Sequence, residues 1–297
     1  MLNGSYALQE LQMKNFYIIT NLKKDPDLAF TGELMKFLAE AGRKCVRVNI
    51  ETDVEKKRLK TLLDPAEDCL LVIGGDGTVL RAAHLVLGTG VPILGINLGT
   101  LGYLAEVERS NWREMMSMFL SGDYEIEPRM MLEGRRLNKG GKVEDEAVLH
   151  ALNEVVIARS GAIRVLNLNV FVDGQLLNNL NADGIIVSTA TGSTAYNMSA
   201  GGPIVEPKAR LIMLTPICAH TLNTRSVVLS KSDIVVIEIA HSERNEGMLA
   251  DAAFDGGSTF ELRYGDRVEI RRSAKVTNLV KLTKRSFLST LHRKFSS

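Results

Sequence analysis

Residues 69–78 read Cys-Leu-Leu-Val-Ile-Gly-Gly-Asp-Gly-Thr, an apolar run that breaks into glycines, and residues 79–87 then carry apolar side chains at helical spacing. The pattern predicts a buried strand that turns through glycine into a helix. This geometry suits phosphate, because glycines let the backbone approach the oxyanions and a helix N-terminus offers free N–H donors. It is equally the geometry of an ordinary tight turn with an aspartate near the helix N-cap.

Asp76 stands inside this predicted anion cradle, where a carboxylate would repel phosphate. The repulsion is avoided if the carboxylate holds a metal ion or takes a proton from an attacking hydroxyl, and phosphoryl transfer needs both tasks. The glycines match neither the P-loop sequence nor the G-x-G-x-x-G fingerprint of dinucleotide-binding domains. The motif therefore favours phosphoryl transfer. The choice between this function and an ordinary tight turn depends on further residues elsewhere in the chain.

The first part of the chain, residues 1–125, alternates between strand and helix patterns. The predicted strands are 16–20, 46–50, 69–73 and 92–96, and the predicted helices are 34–41, 54–63, 79–87 and 112–120. Such alternation predicts a Rossmann-like α/β domain with a parallel sheet covered on both faces. Ligands bind beyond the carboxyl ends of such strands, which is where Asp76 lies.

The second part, residues 126–272, shows short strands separated by turn residues and almost no helical periodicity. Its clearest strands are 154–157, 167–172, 184–188, 226–229, 234–239 and 267–270, with hairpin turns at 173–174 and 255–257. We expect an all-β domain, a β-sandwich. The remaining tail, 273–297, ends in a basic stretch with apolar residues at helical spacing, which favours a helix packed on the body over a membrane-surface helix.

Composition excludes several classes of function. The chain has 297 residues, a net charge of +1, 45% hydrophobic and 24% charged residues, which predicts two globular domains and no global field for nucleic acid or anionic membranes. No signal-peptide pattern opens the sequence, and no apolar stretch reaches the ~20 residues that span a bilayer. Cys45, Cys69 and Cys218 are isolated, as is typical of a reducing cytosol. We expect a cytoplasmic protein.

Further polar segments interrupt the predicted elements. Tyr103, in the loop 97–103, is either a packed aromatic or a pocket wall against a ring. The pair Asn153-Glu154 is either the solvated end of a strand or a pair that binds a vicinal diol. The hydroxyl-rich run 188–196 is too polar for a core and suits a surface that reads a base; the other interpretation, a helix cap at Ser193 or Thr194, is compatible with it. Asp255 is a turn residue first and a site residue second.

Together these residues resemble the bacterial type of the NAD kinase family. The shared segments, in that family's order, are GGDGT at 74–78, NLGTLGY at 97–103, NE at 153–154, DGIIVSTATGSTAY at 183–196, AGGPI at 200–204 and PICAHTLNTR at 216–225. The resemblance covers about residues 15–290. GGDGT alone also resembles motifs of lipid kinases, whereas its combination with TGSTAY is specific.

The resemblance implies a role for each matched residue. Asp76 would be the base that acts on the adenosine 2′-hydroxyl, with Gly75, Gly77 and Thr78 near the phosphates, and Asn153 and Glu154 would hold a ribose. Other contacts to the dinucleotide, in part from a neighbouring subunit, would come from Tyr103, Asn181, Asp183, Thr194, Ala195, Tyr196 and Ser199. It also implies NAD and ATP as substrates, Mg²⁺ on the donor phosphates, and a homodimer or homotetramer.

Four positions depart from the family pattern. Ala190, Ala219 and Ser226 replace prolines, and Asn181 replaces an arginine that several relatives carry, which bears on the phosphate contacts and on the choice between NAD and NADH.

The sequence thus predicts transfer of the ATP γ-phosphoryl group to the 2′-hydroxyl of NAD. The alternatives are a lipid kinase that shares GGDGT and a dinucleotide-binding regulator without catalysis. The TGSTAY segment argues against the first, and intact Asp76, Asn153 and Glu154 argue against the second.

Overall fold

The computed structural model describes residues 13–49, 52–99, 102–138, 142–143, 147–161, 165–220, 225–241, 249–282 and 286–296. The chain forms two compact units. The first holds the chain up to Pro128 together with the segment from Thr277 onward, and the second holds Arg129–Val276.

Strands and helices alternate in the first unit as the sequence predicts. They are β1 (Asn15–Thr20), α1 (Ala29–Glu40), β2 (Lys44–Arg47), α2 (Asp53–Leu62), β3 (Asp68–Gly74), α3 (Asp76–Leu85), β4 (Ile93–Asn97), β5 (Val107–Glu108) and α4 (Trp112–Leu120). The strand order is β2-β1-β3-β4, and all of these pairs are parallel. Every residue of β3 is buried, because helices cover both faces of such a sheet.

Two local predictions need correction. The strand predicted at 46–50 is β2, which begins at Lys44 and ends at Arg47. The helix predicted from position 79 begins at Asp76, because Gly75 is the N-cap and its carbonyl oxygen already accepts from the Thr78 and Val79 N–H groups at 2.8 and 3.1 Å. Most of the GGDGT motif is therefore the first turn of a helix rather than a loop before one.

The second unit is built from antiparallel strands, the first and last of which extend a few residues beyond its bounds into the first unit. In chain order the elements are β6 (Glu125–Leu137), β7 (Leu149–Ala151), β8 (Glu154–Ser160), β9 (Leu166–Val172), β10 (Gln175–Ala182), β11 (Gly184–Thr189), a 3₁₀ turn (Thr191–Thr194), α5 (Tyr196–Ser199), β12 (Leu211–Ile217), β13 (Val227–Ser230), β14 (Val235–Ile239), β15 (Leu249–Phe254), β16 (Ser258–Leu262) and β17 (Arg267–Lys281). One sheet has the order β13-β12-β11-β8-β15-β16, and the other contains β10-β9-β14-β17.

The core of this unit lies between its two sheets. Val155, Ile157 and Val187 of one sheet share a buried apolar cluster with Leu168 and Ile237 of the other. The predicted fold class, a Rossmann-like α/β domain followed by a β-sandwich, is confirmed. Strand β17 continues well beyond the predicted strand 267–270. The sequence pattern missed this continuation because, from Arg271 on, buried and exposed side chains do not alternate every two residues.

Both predicted hairpin turns are present. Asp173 and Gly174 join β9 to β10 with φ values of 48° and 77°, as a type I′ turn requires. Asp255 and Gly256 adopt φ values of 51° and 66° between β15 and β16.

After β17 the chain ends in helix α6 (Phe287–Phe295), which belongs to the first unit. Its N-cap is Ser286, whose hydroxyl accepts from the Ser289 N–H. Arg293 pairs with Glu108 at 2.9 Å, while Leu288 stays 68% exposed. Among the described residues, no helix has both the length and the apolar character needed to cross a bilayer.

Candidate active site

A cavity of about 350 Å³ opens at the GGDGT motif of the first unit. Its wall includes one carboxylate, Asp76, and three cationic side chains, Lys24, Arg81 and Lys294. The size is at the lower end for a small-molecule site, and the excess of positive charge favours an anionic ligand.

The cavity lies where parallel strands end, as the fold predicts. Asn21 follows β1 and donates its backbone N–H to the Ile73 carbonyl oxygen of β3 at 2.8 Å. Its side-chain amide donates to the Thr78 hydroxyl at 3.2 Å, and this ties the loop after β1 to the first turn of α3. Lys24 is carried on the same loop, since its N–H donates to the Asn21 carbonyl oxygen at 2.9 Å.

Asp76 is held in a single orientation by the loop after β4. Its two carboxylate oxygens accept from the N–H groups of Tyr103 at 2.7 Å and Leu104 at 3.1 Å. Gly102 makes this approach possible, because a Cβ at that position would lie 2.0 Å from Asp76 Oδ1. Each carboxylate oxygen keeps another lone pair for a hydroxyl or a metal ion.

The Lys24 ammonium lies between two glycine segments. A Cβ on Gly75 would stand 3.0 Å from Nζ, and a Cβ on Gly99 would stand 2.9 Å from it. The absence of side chains at both positions leaves this lysine room beside the helix N-terminus.

The Tyr103 ring packs against the C-terminal helix, which is the first of the two alternatives that the sequence left open. Its ring is tilted against Phe287 of α6 at a centroid distance of 6.4 Å, and the Lys294 ammonium lies 5.0 Å from the ring centroid. Its ring contacts are thus made with the C-terminal helix, while its backbone N–H orients Asp76. Residues 100 and 101 of the predicted loop lie outside the described residues.

A second group of predicted residues comes together in the β-sandwich unit. Glu154 begins β8 and Asn153 directly precedes it, and Gly192 packs against Asn153 so closely that a Cβ there would lie 2.2 Å from the Asn153 carbonyl oxygen. This contact brings the start of β8 next to the segment that carries the predicted residues Thr194, Ala195, Tyr196 and Ser199.

The hydroxyl-rich run is a buried network, which corrects the prediction of a polar surface. Residues 188–193 are all buried; the hydroxyls of Ser188, Thr189 and Ser193 bond to the chain's own backbone, and that of Thr191 accepts from the Arg129 guanidinium. Thr189 donates to the Leu152 carbonyl oxygen at 2.6 Å, and the Ser193 hydroxyl is 3.1 Å from both the N–H and the carbonyl oxygen of Val205. Neither Ser193 nor Thr194 caps a helix, so that prediction is wrong. Tyr196, by contrast, is 44% exposed.

Glu154 is a buried acid in this second group. Glu154 is only 8% exposed, and its Oε2 atom makes no hydrogen bond with any described residue. Burial, and then the charge of Asp255, raise the pKa of Glu154 to about 8, and a hydrogen bond from the Tyr196 N–H offsets this in part.

Asp183 lies at the other end of the same sheet, just before β11, whereas Asn181 is on β10 of the other sheet. Asp183 precedes β11 and pairs with Arg159, with 3.3 Å between Oδ1 and Nε. In the β8–β11 pairing Gly184 stands opposite Ala158, whereas Ser188 stands opposite Glu154. Four residues of strand separate the two ends by about 14 Å. One chain therefore does not bring Asp183 to Glu154.

The site residues that the sequence did not single out are the three cations, whereas Asp255 was noted first as a turn residue. Lys24, Arg81 and Lys294 come from three separate segments, and Asp255 accepts from the N–H groups of residues 152–154. For Lys24 a sequence feature was available, because a loop that follows a neighbouring parallel strand ends at the same edge of the sheet.

Two family models match the chain. Residues 16–124 match the ATP-NAD kinase N-terminal domain, and residues 152–282 match the ATP-NAD kinase C-terminal domain.

Relatives and solved structures of similar sequence or fold cover almost the whole chain. An NAD kinase of Lachnoclostridium phytofermentans is 42% identical over 284 residues, which is 95% of this chain and 99% of the relative. An NAD kinase of Lachnospira eligens is 41% identical, over 95% of this chain and 100% of the relative. In fold, the chain is similar to a yeast NADH kinase complexed with NADH, with a TM-score of 0.76, 23% identity and coverage of 96% and 88%. An NAD kinase from Archaeoglobus fulgidus in complex with ATP gives a TM-score of 0.71 at 21% identity, with coverage of 96% and 98%.

Proposed function

This chain belongs to the NAD kinase family, and on that premise we propose which of its residues bind the two substrates and which one takes the proton. The reaction is ATP-dependent transfer of the γ-phosphoryl group to the 2′-hydroxyl of the adenosine ribose of NAD, which gives NADP and ADP. A lipid kinase and a silent regulator are not favoured. The direct test incubates the protein with ATP and Mg²⁺ and either NAD or diacylglycerol. NADP, read out by an NADP-specific dehydrogenase, is the expected product.

Asp76 is the general base of the proposed mechanism. The observation that carries this role is a single oriented carboxylate in a cavity that also presents three cations. As the 2′-oxygen bonds to the γ-phosphorus and the bond to ADP breaks, the hydroxyl proton passes to Asp76. A base of this kind contributes about 10²–10⁴-fold to the rate.

The donor phosphates lie at the N-terminus of α3 in this proposal. Gly75, Gly77 and Thr78 offer N–H groups or a hydroxyl at the positive end of the helix, and no atom lies within 4 Å of where a Cβ of Gly77 would be. Lys24 and Arg81 add charge that the transition state needs, because phosphoryl transfer is catalysed mainly by positioning and by neutralisation of charge.

Replacing Lys24 by alanine is expected to raise the KM for ATP by about 10–100-fold, the value of a charge-assisted hydrogen bond of about 1.5–3 kcal/mol. The KM for NAD should change much less. The neighbouring Lys23→Ala is the matched control, since both lysines are exposed on the same loop and only Lys24 lines the cavity. Equal ATP kinetics for the two variants would remove Lys24 from the donor site.

Members of the family generally need a divalent cation, and we propose Mg²⁺ here. Among the described residues there is no group of three or more His, Cys, Asp or Glu side chains that could hold an ion. The Asp76 carboxylate and the Thr78 hydroxyl, both at the cavity, are hard oxygen ligands that fit Mg²⁺ bound mainly through substrate phosphates and water. When bound, the ion neutralises charge on the phosphoryl group.

The β-sandwich unit, by this proposal, binds NAD and forms the oligomer. Asn153 and Glu154 hold a ribose, and Thr194, Ala195, Tyr196 and Ser199 contact the rest of the dinucleotide. Gly184, the neighbour of Asp183, lies about 14 Å along β11 from the position opposite Glu154, and Asn181 is on β10 of the other sheet. We therefore assign Asn181 and Asp183 to the site of a neighbouring subunit in a homodimer or homotetramer. The three free cysteines support a cytoplasmic location.

Subunit complementation tests this assignment. Asp183→Ala and Asp76→Asn should each be nearly inactive alone, whereas co-expressed subunits should recover activity, because one composite site then keeps both wild-type residues. A mixture of Asp76→Asn with Gly102→Ala, which both damage the same site, should not recover. Absence of recovery in a mixed oligomer verified by light scattering would place Asp183 in its own subunit's site or outside any site.

A further inference from the structure

Asp255 fastens the start of β8 through its side chain. Its carboxylate accepts from three consecutive backbone donors, the N–H groups of Leu152 at 2.6 Å, Asn153 at 2.8 Å and Glu154 at 3.1 Å. In return its own N–H donates to the Glu154 carbonyl oxygen at 3.0 Å. A hairpin residue at a φ of 51° thus fixes the backbone from which two predicted ribose ligands project.

The same carboxylate is the charged group that acts on the Glu154 side chain. On β11 the residue opposite Glu154 is Ser188, which is uncharged. The neighbour from α5 is Tyr196, whose backbone N–H donates a hydrogen bond to the Glu154 carboxyl group. Strand β6 contributes Arg129, whose guanidinium bonds to the Thr191 hydroxyl at 3.3 Å. If Glu154 were ionised, its negative charge would be buried near the negative charge of Asp255, and both burial and repulsion disfavour this form.

We propose that Asp255 is a positioning residue for NAD: it fixes the backbone of Asn153 and Glu154, so that the buried Glu154 carboxyl, whose Oε2 has no partner among the described residues, binds the nucleotide in its neutral form. This rests on the proposed contact between Glu154 and a ribose. A neutral carboxyl suits a vicinal diol, because its O–H donates to one ribose oxygen while its other oxygen accepts from the second hydroxyl. It also avoids a further negative charge beside the pyrophosphate of NAD.

The direction of the pH dependence follows from this assignment. With its pKa raised to about 8, Glu154 is protonated in the free enzyme at neutral pH and ionised well above that value. Above the pKa of Glu154, binding of NAD therefore requires the uptake of one proton by this carboxylate. The Kd for NAD should be constant below the pKa and should rise above it, by up to about tenfold per pH unit.

The experiment measures the Kd for NAD by calorimetry without ATP between pH 6 and pH 10. The wild-type Kd should begin to rise near pH 8, and Glu154→Gln, a neutral amide of the same shape, should abolish the rise. Asp255→Asn should move the rise to lower pH, because the nearby negative charge is gone. The double variant should show no rise. Asp251→Asn, which changes an aspartate of β15 that bonds to Ser160 instead, is the matched control and should leave the profile in place.

Two outcomes overturn the inference. One is an Asp255→Asn profile that shifts to weaker binding by the same factor at every pH, since that describes a loosened backbone without a charge effect. The other is a Glu154→Gln profile that keeps the wild-type rise. Glu154→Gln removes no backbone contact, so it tests the neutral form of Glu154 even if Asp255→Asn does not fold. Glu154→Ala removes both the donor and the acceptor, and if it changes neither NAD affinity nor KM, the proposed ribose contact itself has failed.

Discussion

Asp76→Asn is expected to lower kcat by about 10²–10⁴-fold, because asparagine cannot take the proton of the attacking hydroxyl. Asparagine has nearly the same shape, and its carbonyl oxygen can still accept from the Tyr103 or the Leu104 N–H. The loop after β4 should therefore stay close to its place. The Kd for NAD should change little, since the proposed nucleotide contacts belong to residues of the β-sandwich unit.

The matched control for this variant is Asp53→Asn. Asp53 is the first residue of α2, as Asp76 is the first residue of α3, but it is exposed and pairs with Lys56 at 2.8 Å. Loss of a helix N-terminal charge is thus common to both variants, and only one loses the proposed base. Steady-state rates and NAD titrations of both proteins give the comparison. Normal turnover by Asp76→Asn would end the catalytic assignment.

Sequence alone could identify Asp76 because all of its local information is contiguous. A buried apolar run, two glycines and a helical pattern stand side by side within residues 69–87, and each has its own periodicity. Among the cations around Asp76, Arg81 falls within the same stretch, but Lys24 and Lys294 are far from it in the sequence. The parallel sheet and the return of the C-terminal helix bring these two lysines to the cavity, so the topology has to be known first.

The hydroxyl-rich run shows a second limit of prediction from sequence. Composition indicates that residues 188–193 carry hydrogen-bonding groups, but it does not indicate whether a ligand or the protein backbone receives the bonds. In the structure Thr189 and Ser193 bond to Leu152 and Val205. The polar run thus stabilises the loop that presents Thr194 and Tyr196, rather than forming a recognition surface itself.

The orientation of Asp76 leads to a prediction at a residue that has no side chain. Gly102→Ala would place a Cβ 2.0 Å from Asp76 Oδ1 and 2.7 Å from its Cγ. No real Cβ is found so close to another atom, so the short Asp76 side chain has to rotate and give up the N–H groups of Tyr103 and Leu104. A displacement of about 1 Å at a reacting group can cost about 10²-fold in rate. We expect kcat to fall by about that factor or more.

The loss should come from Asp76 and not from unfolding, because the Gly102 backbone lies outside the left-handed φ region and alanine can adopt it. The melting temperature should therefore stay near that of the wild type. Gly32→Ala, in helix α1 with no atom within 4 Å of its added Cβ, is the control and should leave kcat unchanged. The decisive comparison is Asp76→Asn combined with Gly102→Ala. If the two changes act through one carboxylate, the double variant should be no slower than Asp76→Asn alone, whereas multiplied losses would mean that Gly102 serves catalysis by another route.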